Sequence, residues 1–585
     1  MVMNFMKTGV LVEKKFREFF IPTVLASMAA QLGTIVNGII VGNFINANAM
    51  AAISACVPLN QITYATAVLI AIGSSALIAV AAGSRDKAKA DYIFSVVVAL
   101  SIFFALLLGT IFVSHVYEIS KILTSVEDLR ILMYEYLIIM VWRCPLFLLS
   151  FTWQTLLRTD GMAKIVSRGI LIGQSLNVAL SFLLVSNGFG IQGAGIALIS
   201  SDIIAISYML KRYFSASERT RNFCSIFDNF GNLFKQVFEL LKSGFPAAIS
   251  TGLISIKIWA IYQILGEIGG ADSMTLYAVC MACLSVISMC IAGCNGAMMP
   301  VVGMIYGERD FAGVRSLVKY VLKFALKLSG AFVAFAIICP QVILSLYNIP
   351  ENLFAEGSTA LRLFSISLLG VTITFLVMYY YSTIKRRTVA NILSVTEGIL
   401  VVVPAAWILS KQFGLTGVWI AFILAEVAGF LMIWIYSRYV CKNSGGKLND
   451  IFLIESNDSA LIMDVSLNAN TENAAKISNS AKKILEERKF DKTVAVKVGV
   501  ALEEMTLNIE KFNAGKKIDV DVRIKQEDKK VVISLRDNGK SFNPLEYSVE
   551  EEENLHTDGI MLLKSLASNI KYSRVLSLNQ TLIEI

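Results

Sequence analysis

The chain has 585 residues, of which 56% are hydrophobic and only 16% charged, and its mean hydropathy is +0.65. These proportions exclude a soluble globular enzyme and a disordered scaffold. They call for long apolar segments buried in lipid, of roughly 20 residues each. The formal net charge of +8 is spread over short loops between those segments, so it reads as a topology signal and not as a nucleic-acid footprint.

The apolar runs predict twelve spans, at 16–44, 50–82, 92–116, 131–156, 164–187, 191–213, 238–265, 275–305, 314–340, 357–383, 388–411 and 415–440. They are too long and continuous for barrel strands, which alternate. One set of loops carries Lys14, Lys15, Arg17, Arg85, Lys87, Lys89, Arg158, Lys164, Arg168, Arg309, Arg315 and Lys385 to Arg387. The opposite set carries few basic residues. The excess of Lys and Arg predicts that both termini lie in the cytoplasm. Most of the nine cysteines fall inside spans, and His115 and His556 make no metal constellation with them.

The first three quarters of the chain are written twice, at an offset of 224 residues. Pro22 recurs as Pro246 and Gly42 as Gly266. Gly83-Ser84-Arg85-Asp86 recurs as Gly307-Glu308-Arg309-Asp310, and Phe189-Gly190 as Phe413-Gly414. Asp202 recurs as Glu426. Each copy holds six spans, an even number, so both enter the membrane from one side as a parallel repeat. The boundaries that follow are a first six-helix bundle over 1–220, a second over 221–440, a linker over 441–458 and a soluble domain over 459–585.

The linker is polar and Gly-rich, Cys441-Lys442-Asn443-Ser444-Gly445-Gly446. Beyond it the pattern predicts an α/β domain. Strands are expected at 461–467, 518–525 and 530–536, and helices at 471–488, 492–512 and 559–569. Three motifs there carry chemistry. Glu504 and Asn508 stand one turn apart on a helix face, an oxygen pair suited to Mg²⁺, although the spacing taken alone fits a solvated helix face better. Asp537-Asn538-Gly539 follows a strand, with a carboxylate able to accept from the amino group of a base. Asp558-Gly559 opens a helix, a place for phosphate.

In this order the three motifs resemble the GHKL ATP-binding fold, and within it the anti-sigma-factor serine kinases. The resemblance implies Mg-ATP as cofactor. It makes Glu504 the general base, Asn508 the Mg²⁺ ligand, Asp537 with Gly539 the adenine reader, and Asp558-Gly559 part of the phosphate box. The first glycine of that box is Thr557 here. An anti-anti-sigma-like protein is the partner this branch implies, with serine kinase activity.

The doubled half resembles the MATE (multidrug and toxic compound extrusion) family, on Pro22, Val36-Asn37-Gly38, Arg158-Thr159-Asp160-Gly161 and Gly190-Ile191-Gln192-Gly193. That resemblance implies two six-helix bundles in a bacterial cytoplasmic membrane. It also implies export of organic cations against H⁺ or Na⁺ by alternating access. Asn37 stands where the family carries Asp, and Asn177 is kept while Ser181 replaces the Asp one turn on. Lys257 stands where some members place Glu. The remaining mid-span carboxylates, Asp202 and Glu426, are the candidates for ion coupling, with Glu397 a third and Lys257 a counter-ion for either of the first two. Each carboxylate also fits the role of an interhelical hydrogen bond. Trp153, Gln154 and Tyr379 to Tyr381 read as interfacial belts. No Gly-x-x-x-x-Gly-Lys-[Ser/Thr] P-loop is present, so the tail is not expected to drive primary transport. Two other readings remain: a lipid-linked precursor flippase, which needs a cationic cavity, and a membrane sensor for a serine kinase module.

Overall fold

A computed structural model describes the chain except residues 1–9, 46–52, 54–55, 124–126, 216–220, 227–229, 348, 446–447, 449, 456–459, 528–529 and 547–555. The first bundle comprises α1 (Val10–Phe44), α2 (Val57–Gly83), α3 (Lys87–Ser114), α4 (Glu127–Thr159), α5 (Ala163–Leu184) and α6 (Gly190–Phe214). The second comprises α7 (Gly231–Gly270), α8 (Asp272–Gly307), α9 (Phe311–Ile338), α10 (Phe354–Thr383), α11 (Arg387–Phe413) and α12 (Leu415–Asn443). Among the described residues, eleven helices are long and apolar enough to cross a membrane, one of them the 52-residue stretch Ala163–Phe214. At 1.5 Å per residue that stretch is far longer than a bilayer. It breaks at Gly188 (φ 87°) and Gly190 (φ 55°) into α5 and α6, which gives the twelve spans expected.

The repeat is visible in the backbone. Arg85 and Arg309, Gly161 and Lys385, and Gly190 and Gly414 all have positive φ, and each pair keeps the 224-residue spacing. The same left-handed turn therefore closes equivalent helices in both copies. Asp86 and Asp310 then cap the following helices, accepting from Lys89 N at 3.0 Å and Gly313 N at 2.6 Å. An N-cap carboxylate satisfies amides that the helix leaves open. The carbonyls of Pro22 and Pro246 each accept a serine hydroxyl from α5 or α11, from Ser167 at 2.6 Å and Ser394 at 2.7 Å.

The soluble domain has β1 (Leu461–Asn468), α13 (Thr471–Glu487), α14 (Lys492–Phe512), β2 (Asp519–Glu527), β3 (Lys530–Asp537), α15 (His556–Leu566), β4 (Asn569–Val575) and β5 (Leu578–Glu584). Its antiparallel sheet runs β1-β2-β3-β5-β4. The last helix begins and ends three residues before the expected 559–569, so Asp558-Gly559 lies within its first turn and does not open it, and the final two strands were not foreseen. One sheet face, with Val520, Val522, Ile533 and Leu535, packs on Ile477, Val498, Leu502 and Met505 of the helices. Strand residues alternate between faces, so Asp464, Asp521, Arg523 and Arg536 point the other way.

That second face is not solvated. It lies against the two equivalent turns at 83–86 and 307–310. Arg523 pairs with Asp310, and Arg536 pairs with Glu308 and with Asp310 at 3.3 Å. Arg85 donates to Ser534 at 3.1 Å and Lys14 pairs with Asp519 at 2.7 Å. The domain thus touches both bundles. The linker is also held against the second bundle. Arg315 pairs with Asp450 at 2.7 Å, Leu453 and Ile454 are buried, and Tyr380 and Tyr381 donate to the carbonyls of Phe452 and Ile451. Those two tyrosines therefore serve the linker and not a lipid belt. Trp153 is buried as well, and Gln154 and Tyr379 face a cavity.

Candidate functional site

On the domain side the bundles close on each other through small residues. Gly83 meets the backbone of Met304, Gly307 that of Val80, and Gly303 the side chain of Ala79. Positions 79 and 303, and 83 and 307, are repeat equivalents, so the pseudo-twofold axis passes between them. Gly244 lies against the Leu69 carbonyl and Gly73 against that of Leu240. Gly293 and Gly296 sit on Val24 and Thr23 of α1. A side chain at any of these glycines would hold the helices apart, which is why the seam uses them.

Beyond the seam a cavity of about 490 Å³ lies between the bundles. Among the described residues its charged lining is Arg143, Arg158 and Asp202. Arg143 Nε donates to Asp202 Oδ2 at 2.9 Å. Asp202 is therefore matched by an arginine of α4, and not by Lys257. A second space of about 230 Å³ in the second bundle is lined by Lys257, Glu426, Tyr277 and Tyr379. It shares Tyr64, Ser288, Asn295 and Tyr379 with the first. Glu426 accepts from Thr374 at 2.9 Å. The repeated carboxylates thus sit in separate but adjoining spaces, each with a partner. Asn37, Asn177 and Ser181 do come together, with Asn37 donating to Asn177 at 3.4 Å and Ser181 to Asn177 at 3.5 Å. The side chain of Glu397 lies outside the described residues.

In the soluble domain the nucleotide motifs converge on the helix side of the sheet. Gly559 packs so closely on Glu504 that a Cβ there would collide with its carboxylate, and would lie 3.7 Å from Asn508 Nδ2. Asn508 is buried and its Nδ2 has no partner among the described residues. The side chain of Asp558 lies outside the described residues, as does that of Thr557. Asp537 is buried, and its Oδ1 accepts from Gly539 N and from Asn579 Nδ2, both at 2.8 Å. Its Oδ2 makes no hydrogen bond among the described residues. Burial pushes the Asp537 carboxyl up to about 6, against the pull of those two hydrogen bonds. Asn513 Oδ1 accepts from Lys540 N at 2.8 Å and Asn579 also donates to Lys540 O. These two asparagines fix the loop after β3, and sequence reasoning missed both. Neither stands in one of the three motifs, so no local pattern marked it. The orphaned Asn508 amide, the free Asp537 oxygen and the glycine in the first turn of α15 fit a nucleotide. Asp537 would read the base, Asn508 with Glu504 would face the metal-phosphate end, and Gly559 would let the α15 amides approach.

The face toward the bundles is ordered by charge. On the sheet, Asp464 lies beside Arg523, and Asp521 beside Arg536. Burial pushes the Asp310 carboxyl up, but the Arg523 and Arg536 guanidiniums outweigh it and hold it below the usual carboxylate range. Burial raises Asp521 to about 6 despite Arg536.

Comparison with known proteins agrees with this architecture. The MatE model matches residues 22–183 and 246–408, once per bundle and together more than half of the chain. The model of the histidine kinase-like ATPase domain matches residues 467–584. The probable multidrug resistance protein YoeA of Bacillus subtilis (strain 168) is 23% identical over 435 residues, 72% of this chain and 93% of that protein. The multidrug export protein MepA of Staphylococcus haemolyticus (strain JCSC1435) is 22% identical over 426 residues, 72% of this chain and 92% of that protein. A solved multidrug resistance MATE family transporter of the MOP superfamily, in its outward-facing conformation, is similar with a TM-score of 0.69 and 21% identity, over 75% of this chain and 100% of that one. The chain, with its doubled bundle and fused sheet domain, belongs to the MatE family of membrane transporters and carries a histidine kinase-like ATPase domain at its C-terminal end.

Proposed function

We propose that the protein is a secondary active exporter of small amphipathic molecules in a bacterial cytoplasmic membrane, and that its ATP-binding domain regulates it from the cytoplasm. Both termini and the domain lie on the side rich in Lys and Arg, which supports the orientation. The observation that carries the transport reading is the cavity between two repeat-related bundles, sealed on one side by a seam of small residues. Alternating access requires that seam to part and the opposite side to close. The coupling ion is H⁺ or Na⁺, with Asp202, Glu426, the Asn37–Asn177 pair and Lys257 as the groups that bind or respond to it. The organic cations implied by the family resemblance would need an uncompensated carboxylate in the cavity, whereas Asp202 is matched by Arg143 and Glu426 lines the same space as Lys257.

Regulation rests on the domain's contacts with both bundles at the seam. The docked domain holds the turns at 83–86 and 307–310 together and so opposes opening to the cytoplasm. Mg-ATP bound through Asp537, Gly539, Asn508 and the first turn of α15 at Asp558-Gly559 would alter that hold from the opposite face of the sheet. Dye efflux from proteoliposomes tests both parts. Flux driven by an imposed pH or Na⁺ gradient without ATP is the expected result, with a rate that changes when Mg-ATP reaches the domain. Absence of gradient-driven flux refutes the exporter, and flux indifferent to Mg-ATP refutes the regulatory role. Convergence of Glu504, Asn508 and Gly559 also supports a second reading, a serine kinase acting on an anti-anti-sigma-like partner. Glu504-dependent phosphorylation of such a partner would select it.

A further inference from the structure

We infer that the central cavity takes organic anions, with the anionic group seated at its closed, domain-side end against Arg158. The inference rests on the exporter reading and adds the substrate class. Arg143, Phe147, Ser150, Gln154 and Arg158 all line the cavity, and their spacing of three and four residues puts them on one stripe of α4. The two arginines stand 15 positions apart, about 22 Å along the helix. Arg143 is neutralised by Asp202 at 2.9 Å. Arg158 is not neutralised: no carboxylate, and no hydrogen-bond acceptor, reaches it among the described residues, and its Nε is buried without a partner. A guanidinium stays protonated, so the cavity keeps one uncompensated positive charge.

Arg158 also lies in the last turn of α4, where a cation suits the helix dipole. An arginine serving that purpose alone would extend to headgroups or bulk water. This one lines the floor of the cavity beside Tyr64, Gln154 and Tyr379, just beyond the glycine seam. Its neighbours can donate hydrogen bonds to a carboxylate, sulfonate or phosphate. Phe147, Phe151 and the methionines of α8 offer an apolar wall for an aromatic or acyl body. An organic cation would meet repulsion at that end. The anion has two sources, a soluble aromatic acid or the headgroup of an acidic lipid.

The test uses the full-length protein in liposomes under a pH or Na⁺ gradient, with three probes. These are carboxyfluorescein, ethidium, and a fluorescent phosphatidic acid whose transfer between leaflets is read by dithionite quenching. Transport of carboxyfluorescein, falling about tenfold or more in Arg158→Gln and recovering in Arg158→Lys, is the expected result. The same pattern seen with the phosphatidic acid alone also supports the inference and assigns the lipid as source. Transport of ethidium alone overturns the anion inference and leaves the exporter standing. Movement of none of the three probes overturns both. Carboxyfluorescein binding to detergent-purified protein, measured by anisotropy, covers the case in which Arg158→Gln does not fold. Binding that ethidium displaces but chloride-matched phenylphosphonate does not would also overturn it.

Discussion

Replacing Glu308 with glutamine tests whether the docked domain holds the seam shut. The Glu308 side chain is 5% exposed. It accepts from Arg536 and Gln580 of the domain, and Arg85 of the first bundle feels its charge across the seam. Removing one partner of a buried ion pair costs about 3–5 kcal/mol. Arg536 would keep Asp310 at 3.3 Å and Asp521 at 3.5 Å, so the lower figure, about 3 kcal/mol, applies. That is about a hundredfold in the ratio of docked to undocked protein. A Ser534→Cys reporter, half-buried under Arg85, reads the undocked population through its maleimide labelling rate. Cys224 is exposed and is first changed to serine. Labelling should accelerate about a hundredfold in Glu308→Gln, with faster gradient-driven flux. The charge swap Glu308→Arg with Arg536→Glu should reverse both. Unchanged labelling would refute the energetic reasoning, and faster labelling with unchanged flux would refute the link between docking and the seam.

Nucleotide affinity should depend on pH through Asp537. The carboxyl must be ionised to accept from the adenine amino group, so affinity should be full above pH 7 and fall roughly tenfold by pH 5, as a fluorescent ATP analogue would report. Because its folded value of about 6 lies above the unfolded one, this group makes the domain less stable as pH rises from about 4 to 6, and Asp537→Asn should remove both trends. Gly559→Ala should abolish detectable nucleotide binding, since the new methyl must displace Glu504, while the domain's own melting temperature changes little. Gly244→Ala forces a methyl into the Leu69 carbonyl and should destabilise the closed seam by about 1–3 kcal/mol, exposing an Ala79→Cys reporter on the domain side. Arg143→Ala strands Asp202 in the cavity wall, which costs about 3–5 kcal/mol, and should lower the melting temperature and suppress flux, with partial recovery in Arg143→Ala/Asp202→Asn.

What the sequence revealed and what it hid divide along physical lines. The repeat was legible because the same close helix contact demands glycine at 83 and 307, and the same left-handed turn demands it at 190 and 414. The convergence of Glu504, Asn508 and Gly559 was legible because each motif is local and the order of motifs is informative. The Arg143–Asp202 pair was not, since 59 residues and a second helix separate the partners and neither position marks the other. Tyr380 and Tyr381 were misread because a tyrosine at a helix end looks the same whether it meets lipid headgroups or a protein carbonyl. The Gly-rich start of the linker was legible from composition, whereas the docking of Phe452-Leu453-Ile454 was not, because a short apolar triplet does not name what it packs on. The charges at Asp521, Arg523 and Arg536 carry no mark of their partners, and only the assembled chain provides the opposing Glu308 and Asp310.

One difference between the duplicated turns has a wider consequence. Where the second copy has Glu308, the first has Ser84, and the two arginines and two aspartates that follow are otherwise shared. The strongest anchors, Glu308, Asp310 and the Arg315–Asp450 pair, therefore all belong to the second bundle. The first bundle contributes lighter touches at Lys14, Arg85 and Gly161. A protein built of interchangeable halves has in this way acquired a hinge and a latch. If the halves part as proposed, the sheet would stay with the second half and let go of the first, so opening would strain the latch and spare the hinge. The pseudosymmetry is broken at two positions, Glu308 against Ser84 and Arg315 against Asp91, and both differences tie the domain to the second half.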